Sequence, residues 1–428
     1  MILPMDTFPV LGKAYRPRVI DSVVVEALDT AGAVLIEGAR ACGKTMTGLH
    51  AASSYVFLDE PEAEQMLSVA PRSLLEGDPP RLLDEWQLAP TLWNLVRRQV
   101  DASDTTGLFL LTGSAVPDDD VARHTGAGRV LRLRMRTMSW WEKNGCPAGG
   151  VSLADLFDGH QPTPDKDTDE LDSVISMLLR PGFPAMAGLS EQRAQTLLRA
   201  YADEVSRTDV RRIADVRHDP AVVARLITAV ARASSTDAST STLASDVRVL
   251  APSITDDTIS SYLKLLQRLF VVEAQEAWAP RLRSRARLRT SAKLHLADPA
   301  LAAAVLRAGP QRLSQDLNTL GLLFESAITH DLSVLAGPLG GEVLHHRDSN
   351  GYEIDAVITL PDGRWGAVEV KLGGIQIEAG ARSLTRAVAQ IDTSTVGDPV
   401  FRLVITGTGP TLTLDDGTIT CPLARLAP

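Results

Sequence analysis

Eight consecutive residues, Gly38, Ala39, Arg40, Ala41, Cys42, Gly43, Lys44 and Thr45, fit the pattern G-x-x-x-x-G-K-[ST]. Glycines let such a loop wrap closely around an anion, and successive backbone N–H groups with a helix N-terminus meet its charge. The Lys44 ammonium then neutralises the outer phosphate oxygens, and the Thr45 hydroxyl is a hard oxygen ligand for Mg2+. An apolar run precedes the loop at Ala33–Ile36 and a helix-compatible stretch follows it. That context makes it a cradle for the phosphates of ATP with Mg2+. Downstream, Leu82-Leu83-Asp84-Glu85 ends an apolar run in two carboxylates. Asp84 suits the nucleotide-bound Mg2+, and Glu85 suits polarising an attacking water. Leu110-Leu111-Thr112-Gly113-Ser114 ends another run in small polar residues, where a Ser114 hydroxyl would stand between the terminal phosphate and the water. The same tripeptide is equally good turn chemistry.

A second set of chemical residues lies near the other end of the chain. Glu353-Ile354-Asp355-Ala356-Val357-Ile358 and Trp365-Gly366-Ala367-Val368-Glu369-Val370-Lys371 read as two antiparallel strands across the turn Pro361-Asp362-Gly363. The two-residue period puts Glu369 and Lys371 on one face and brings Asp355 near them. Two carboxylates can hold Mg2+, and a lysine beside them can orient water toward a phosphodiester. A salt bridge between Glu369 and Lys371 on a sheet surface is the plain alternative. His345 and His346 are adjacent in a strand, so at most one of them faces this site.

These residues need elements to hold them. Short apolar runs at Ala33–Glu37, Tyr55–Asp59, Arg81–Asp84, Gly107–Thr112 and Val130–Met135 alternate with helix-like stretches, the pattern of a parallel sheet flanked by helices. Gly159 to Glu170 is polar, acidic and proline-bearing and reads as a loop or linker. Leu171 to Ala233 has helical spacing broken by the turn Arg180-Pro181-Gly182-Phe183-Pro184. Two short helices are expected at Leu243–Leu250 and Thr258–Leu269, the second capped by Thr255, followed by a strand over Val271–Trp278. Two helices across a short turn and then a strand suggest a winged helix-turn-helix. Arg281, Arg283, Arg285, Arg287 and Arg289 follow at every second position and would make a basic stripe along one face of a strand, suited to DNA phosphates. A helix is expected at Leu317–Val334, and a strand-rich unit from Glu342 to Thr406.

Composition narrows the partners. The chain has 428 residues, 44% hydrophobic and 22% charged, and a formal net charge of −10. That length predicts two or three domains, and that acidity excludes bulk electrostatic coating of nucleic acid while leaving room for a local basic surface. No apolar run approaches the roughly 18 residues a bilayer span requires, so no membrane partner is expected. Three scattered cysteines, Cys42, Cys146 and Cys421, indicate neither a disulfide framework nor zinc and fit a cytoplasmic protein.

Several motifs then occur in a familiar order: Tyr15-Arg16-Pro17-Arg18, the loop from Gly38 to Thr45, Leu58-Asp59, Asp84-Glu85-Trp86-Gln87, Thr112-Gly113-Ser114, Gly128-Arg129-Val130 and Ser139-Trp140-Trp141-Glu142. In this order the chain resembles the prokaryotic AAA-type P-loop ATPases that carry a C-terminal domain of unknown function. The resemblance implies a core sheet of order 5-1-4-3-2, ATP hydrolysis with Mg2+, Ser114 as a sensor and Arg129 as an arginine finger or sensor. A finger is often supplied by a neighbouring copy, which points to a homo-oligomer. Arg132, Arg134 and Arg136 alternate with apolar residues and read as the solvated basic face of an edge strand. Asp355, Glu369 and Lys371 resemble the D…E-x-K signature of restriction-endonuclease-like domains, with Glu325 on the preceding helix as the additional acid.

The expected fold is therefore α/β. An AAA-like P-loop parallel sheet over residues 1–158 is followed by a helical lid over 171–233, a winged helix over 234–300 and a restriction-endonuclease-like domain over 301–428. Three functional readings stay open at this point: an ATPase that moves its C-terminal region on double-stranded DNA, a nucleotide-switched module that grips a protein, and an ATP-controlled Mg2+-dependent nuclease.

Overall fold

A computed structural model describes residues 7–8, 12–115, 127–210, 219–280 and 291–428. Helix α1 (Ile20–Thr30) leads into five strands: β1 (Ala33–Glu37), β2 (Ser54–Phe57), β3 (Arg81–Asp84), β4 (Phe109–Gly113) and β5 (Val130–Arg134). All pair in parallel in the order β2-β3-β4-β1-β5, the expected 5-1-4-3-2 arrangement. Two strands match their expected bounds and the other three differ by up to two residues. Helices α2 (Lys44–Ala51), α3 (Pro61–Val69) and α4 (Leu92–Asp101) make the crossovers.

The two-residue period of the central strands sorts their side chains into two cores. Val34, Ile36, Leu82 and Leu110 pack with Val24 and Leu28 of α1, while Leu35, Leu83, Phe109 and Leu111 pack with Trp86, Trp93 and Val96. A parallel sheet covered on both faces needs such continuous apolar strands. Because β4 lies between β1 and β3, their three C-terminal ends stand in a row.

The second half begins with α5 (Leu171–Leu179) and α6 (Glu191–Glu204), the latter running into a π-helical turn at Val205–Asp209. Next come α7 (Pro220–Arg232), α8 (Thr240–Arg248) and α9 (Asp256–Arg268). Thr255 caps α9 as expected, its hydroxyl accepting the Thr258 N–H at 3.2 Å. An antiparallel pair follows, β6 (Val272–Gln275) with β7 (Lys293–Leu296). Helices α10 (Pro299–Val305) and α11 (Pro310–Gln315) lead to the long α12 (Leu317–Leu335).

The last sheet has six strands: β8 (Glu342–Arg347), β9 (Glu353–Thr359), β10 (Trp365–Lys371), β11 (Arg402–Thr406), β12 (Leu412–Thr413) and β13 (Ile419–Pro422), in the order β8-β9-β10-β11-β13-β12. β8, β9 and β10 form an antiparallel meander, and β11 runs parallel to β10 after the crossover helix α13 (Ile377–Val388). The strand-rich expectation does not include α13, whose buried face, Ile377, Gly380, Ala381, Leu384, Ala387 and Val388, has helical spacing. Gly380 lets the helix approach β10, since a Cβ there would lie 3.1 Å from Lys371 Cγ.

One hydrophobic core runs through the helices, the β6–β7 pair and this sheet, joining Leu198, Leu226, Leu266, Leu296, Phe324, Val368 and Leu403. Of the two readings of Gly159–Glu170, loop or linker, the structure has a loop, and it is tied to the last sheet. Asp165 and Thr411 exchange backbone hydrogen bonds at 2.8 Å, and Thr413 Oγ1 donates to Gln161 Oε1 at 2.7 Å. A polar sequence shows that water tolerates a segment and not that the segment hangs free. Among the described residues no helix is long and apolar enough to cross a membrane, and the cysteines Cys42, Cys146 and Cys421 are free.

Buried His295 on β7 adds a pH dependence. Burial, and secondarily the neighbouring Lys293, pushes its imidazole down to about 3 from an ordinary 6.5. The unfolded chain therefore takes up this proton at higher pH than the folded one, and the stabilising contribution is lost as pH falls from 6.5 toward 3. Acidification from about pH 7.5 to about pH 5 is expected to lower the thermal midpoint of the wild type more than that of His295→Gln. The difference between the two, read by circular dichroism, isolates this ring; equal shifts would show that it takes up its proton equally in the folded and unfolded states.

Candidate functional site

The phosphate loop sits where β1 turns into α2. Gly43 has φ +112° and Ala41 φ +64°, so the loop uses the left-handed region twice. Gly38 is required for a different reason: a Cβ would meet the Met135 carbonyl oxygen at 2.0 Å. Lys44 is buried, and its ammonium donates to the Gly38 and Ala39 carbonyls at 3.0 and 2.9 Å, which holds the charge inside the loop. Cys42 is buried with Sγ 3.6 Å from the Met135 carbonyl.

The row of strand ends brings the other predicted groups to this loop. Thr45 Oγ1 donates to Asp84 Oδ2 at 3.1 Å, and Thr112 Oγ1 donates to Asp84 Oδ1. Burial pushes the Asp84 carboxyl up to about 6, with Glu85 adding to the rise. Glu85 has φ +57°, an uncommon conformation for a residue with a side chain, and its N–H donates to Thr112 Oγ1 at 3.2 Å. Ser114 Oγ donates to Glu85 Oε2 at 3.2 Å, so the predicted sensor and the predicted base are neighbours. Gln87 Nε2 donates to the same Glu85 oxygen and also to Ser114 Oγ, the latter at 3.2 Å.

Two of these anchors escaped the sequence reading. In the sequence Thr112 reads as part of a strand end and Gln87 as part of a motif, and nothing in their spacing shows that both bond to the acids. The turn Arg180–Pro184 was taken as punctuation, yet Pro184 Cγ lies 3.3 Å from where a Gly43 Cβ would be. Arg40 of the loop pairs at 3.2 Å with Asp209 in the π-helical turn, so the helical segment touches the phosphate loop at two points.

Arg129 stands elsewhere. It precedes β5, whose Val130 pairs with Ala33 at the start of β1, whereas the phosphate loop follows the end of β1 at Glu37. Five residues of strand separate them, about 16 Å. Arg129 pairs with Asp101 and donates to the Ala127 carbonyl at 3.1 Å. A sensor role toward the phosphates of its own chain does not fit that position, and the finger reading requires a second copy.

The basic face of β5 is corrected in part. β5 is an edge strand, and Arg132 pairs at 3.2 Å with Glu37 beside it. Arg134 and Arg136 are partly buried and paired: both bind Glu273 of β6, at 3.1 and 2.8 Å, and Arg134 lies over the Phe270 ring. Burial alone would raise the Glu273 carboxyl, but Arg136 and Arg134 override it and hold it well below the usual carboxylate range. The stripe Arg281–Arg289 lies outside the described residues.

The C-terminal carboxylates are close together but already partnered. Glu369 Oε1 accepts from Lys371 Nζ at 2.7 Å, the plain alternative of the sequence reading. Asp355 Oδ2 accepts the Val370 N–H at 2.8 Å, and Glu325 Oε1 accepts from Lys293 Nζ at 2.8 Å. Burial first and Asp355 second push Glu325 and Glu369 up to about 7. Among the described residues no group of three or more His, Cys, Asp or Glu side chains is arranged to hold a metal. In this arrangement Asp355 and Glu369, with Glu325 and Lys371, the residues expected to make a second Mg2+ site, are occupied by one another, by Lys293 and by the Val370 N–H. His345 and His346 bond to the Ser291 and Trp278 carbonyls, away from these acids.

Three family models match the chain: an AAA domain over residues 30–144, the domain of unknown function DUF8612 over 171–312, and the domain of unknown function DUF4143 over 320–426. Among solved structures, the chain is similar to the Walker-type ATPase PABY2304 of Pyrococcus abyssi, with 12% identity and a TM-score of 0.37, over 67% of this chain and 94% of that one. It is also similar to a chain of the Drosophila ORC bound to DNA, with 12% identity and a TM-score of 0.21, over 65% of this chain and 89% of that one. No curated protein matches. The AAA domain spans the phosphate loop and the acids that meet it, and DUF4143 spans the last sheet. An AAA domain followed by DUF4143, a domain of unknown function, is consistent with the AAA-type P-loop ATPases that carry a C-terminal domain of unknown function, the family that the motifs resemble.

Proposed function

We propose that this protein hydrolyses ATP with Mg2+ and transmits its nucleotide state to the C-terminal half, which acts on DNA. The observation that carries the hydrolytic part is the row of strand ends that joins Thr45, Asp84 and Thr112 in one hydrogen-bonded chain beside Glu85, Gln87 and Ser114. The fit to Mg2+ is good: a hydroxyl and a carboxylate converge at 3.1 Å, and a buried acid raised to about 6 gains from a cation beside it. When bound, Mg2+ offsets the charge of the phosphates.

The protein's own groups do the rest. Lys44 meets the outer phosphate oxygens, Glu85 accepts the proton of the attacking water, and Ser114 with Gln87 aims the Glu85 carboxylate. Gln87→Ala is expected to lower turnover about 10- to 100-fold with ATP affinity kept, because only the aim of Glu85 is lost. Steady-state kinetics decide it: an increase in KM with unchanged kcat would assign Gln87 to nucleotide binding instead.

The DNA part is supported by two helices followed by an antiparallel strand pair, and by the five alternating arginines in the sequence between those strands. ATP turnover measured with and without duplex DNA tests it. A rise with DNA supports the reading, and unchanged turnover by an active enzyme removes it. One observation favours a protein partner as the second reading. A cleft of about 580 Å³ at the C-terminal carboxylates is rimmed by Leu171, Leu317, Leu322 and fully exposed Ile375, and Lys371 is its sole cation among the described residues. Apolar rims suit protein surfaces better than phosphates. The nuclease reading needs a divalent cation on carboxylates that lysines already hold, and no observation favours it.

A further inference from the structure

The β6–β7 pair has one face made only of polar side chains. Glu273 and Gln275 alternate on β6, and their cross-strand partners His295 and Lys293 share that face. Gln275, Lys293 and His295 are nevertheless buried, at 3%, 6% and 4% exposure. Polar groups are buried at such cost only when they find partners, and each has one. Glu273 binds Arg134 and Arg136 of the ATPase edge strand. Gln275 Nε2 donates to the Leu344 and Asp355 carbonyls at 3.2 and 2.9 Å. His295 Nδ1 lies 3.1 Å from Ser326 Oγ on α12. Lys293 reaches Glu325 and faces Asp355 and Glu353.

The consequence falls on the C-terminal carboxylates. Lys293 holds an oxygen of Glu325, Lys371 holds one of Glu369, and the Val370 N–H holds one of Asp355. Glu325, Glu369 and Asp355 thus each have one oxygen already committed to the protein, beside the Lys293 and Lys371 ammoniums. A divalent cation at this centre would have to displace Lys293 and Lys371 from the carboxylate oxygens they already hold. Lys293 belongs to no nuclease-like signature in the sequence. It arrives from a different strand pair, 32 residues before Glu325.

We propose that Lys293 is the resident cation of the C-terminal carboxylate centre, so that the centre is an ion-pair lock fastening the β6–β7 pair to the C-terminal sheet and not a divalent-metal site. The same strand pair is held to the ATPase core through Glu273, so its polar face ties the edge of the nucleotide domain to the C-terminal sheet, beside the apolar core that Val272 and Leu296 share with that sheet. This inference does not depend on ATP being hydrolysed.

Two measurements on the full-length, nucleotide-free protein test it. Electron paramagnetic resonance with Mn2+ as the probe is expected to show no stoichiometric binding to the wild type that Glu369→Ala removes. A thermal-midpoint cycle with Lys293→Met, Glu325→Gln and the double variant is expected to show coupling: each single change lowers the midpoint by several degrees, and the double loses clearly less than their sum. One Mn2+ per chain in the wild type, abolished by Glu369→Ala, would overturn the proposal. Strictly additive losses in the cycle would overturn it as well. The Mn2+ measurement needs only the wild type and Glu369→Ala, so it stands even where Lys293→Met fails to fold.

Discussion

Glu85→Gln is expected to lower ATP turnover about 100- to 10,000-fold while leaving ATP affinity nearly unchanged. The expectation follows from position. Glu85 is the acid just beyond the buried end of β3, and Ser114 Oγ stands 3.2 Å from its carboxylate. Asp84, its neighbour, is committed to the Thr45 and Thr112 hydroxyls and cannot turn toward a water as well. Glutamine keeps the size and the hydrogen bond from Ser114 but cannot accept a proton. The left-handed backbone at Glu85, at a cost of order 1 kcal/mol, is tolerated where the Thr112 hydroxyl fixes its N–H. Single-turnover and steady-state assays measure the change, and turnover within about twofold of wild type would place the base on another residue.

The second large effect concerns the tie between the two halves. Glu273→Gln is expected to cost about 3 kcal/mol of stability, because it leaves the Arg134 and Arg136 guanidiniums without their counter-charge in a mostly buried place. The side chains involved are 19% to 29% exposed, which puts the loss toward the low end for buried pairs. Arg132→Met is the contrast. Its pair with Glu37 is 47% exposed on the arginine side, and its loss should cost less than about 1 kcal/mol. Urea titration of the three proteins compares them directly. Equal losses for both variants would mean that Glu273 is solvated and that β6 does not clamp β5.

The nucleotide edge was legible because its information is local. Eight contiguous residues make the phosphate loop, and an apolar run ending in Asp84-Glu85 announces both a buried strand and the acids at its tip. Periodicity also found Thr255 as a cap and the long helix carrying Glu325. What escaped is long-range. Alternation shows that Arg134 and Arg136 share a face, but not that Glu273, more than a hundred residues away, covers it. Lys293 has no signature at all, and only the fold brings it to Glu325. The same limit governs Arg129: its motif was visible, while its placement at the opposite end of β1 depends on strand direction and register. The turn at Arg180–Pro184 carries strong local signals for a turn and none for the loop it touches.

The central claim, that residues Gly38 to Thr45 hold the phosphates of ATP, is tested most directly by equilibrium binding of a fluorescent ATP analogue with Mg2+ to the wild type and to Lys44→Ala. Saturable binding by the wild type and affinity weaker by about 10- to 100-fold in the variant are expected, the loss of a charged hydrogen-bonding group. Equal affinity in the two proteins would contradict the account, because the phosphates would then be held somewhere that Lys44 does not reach.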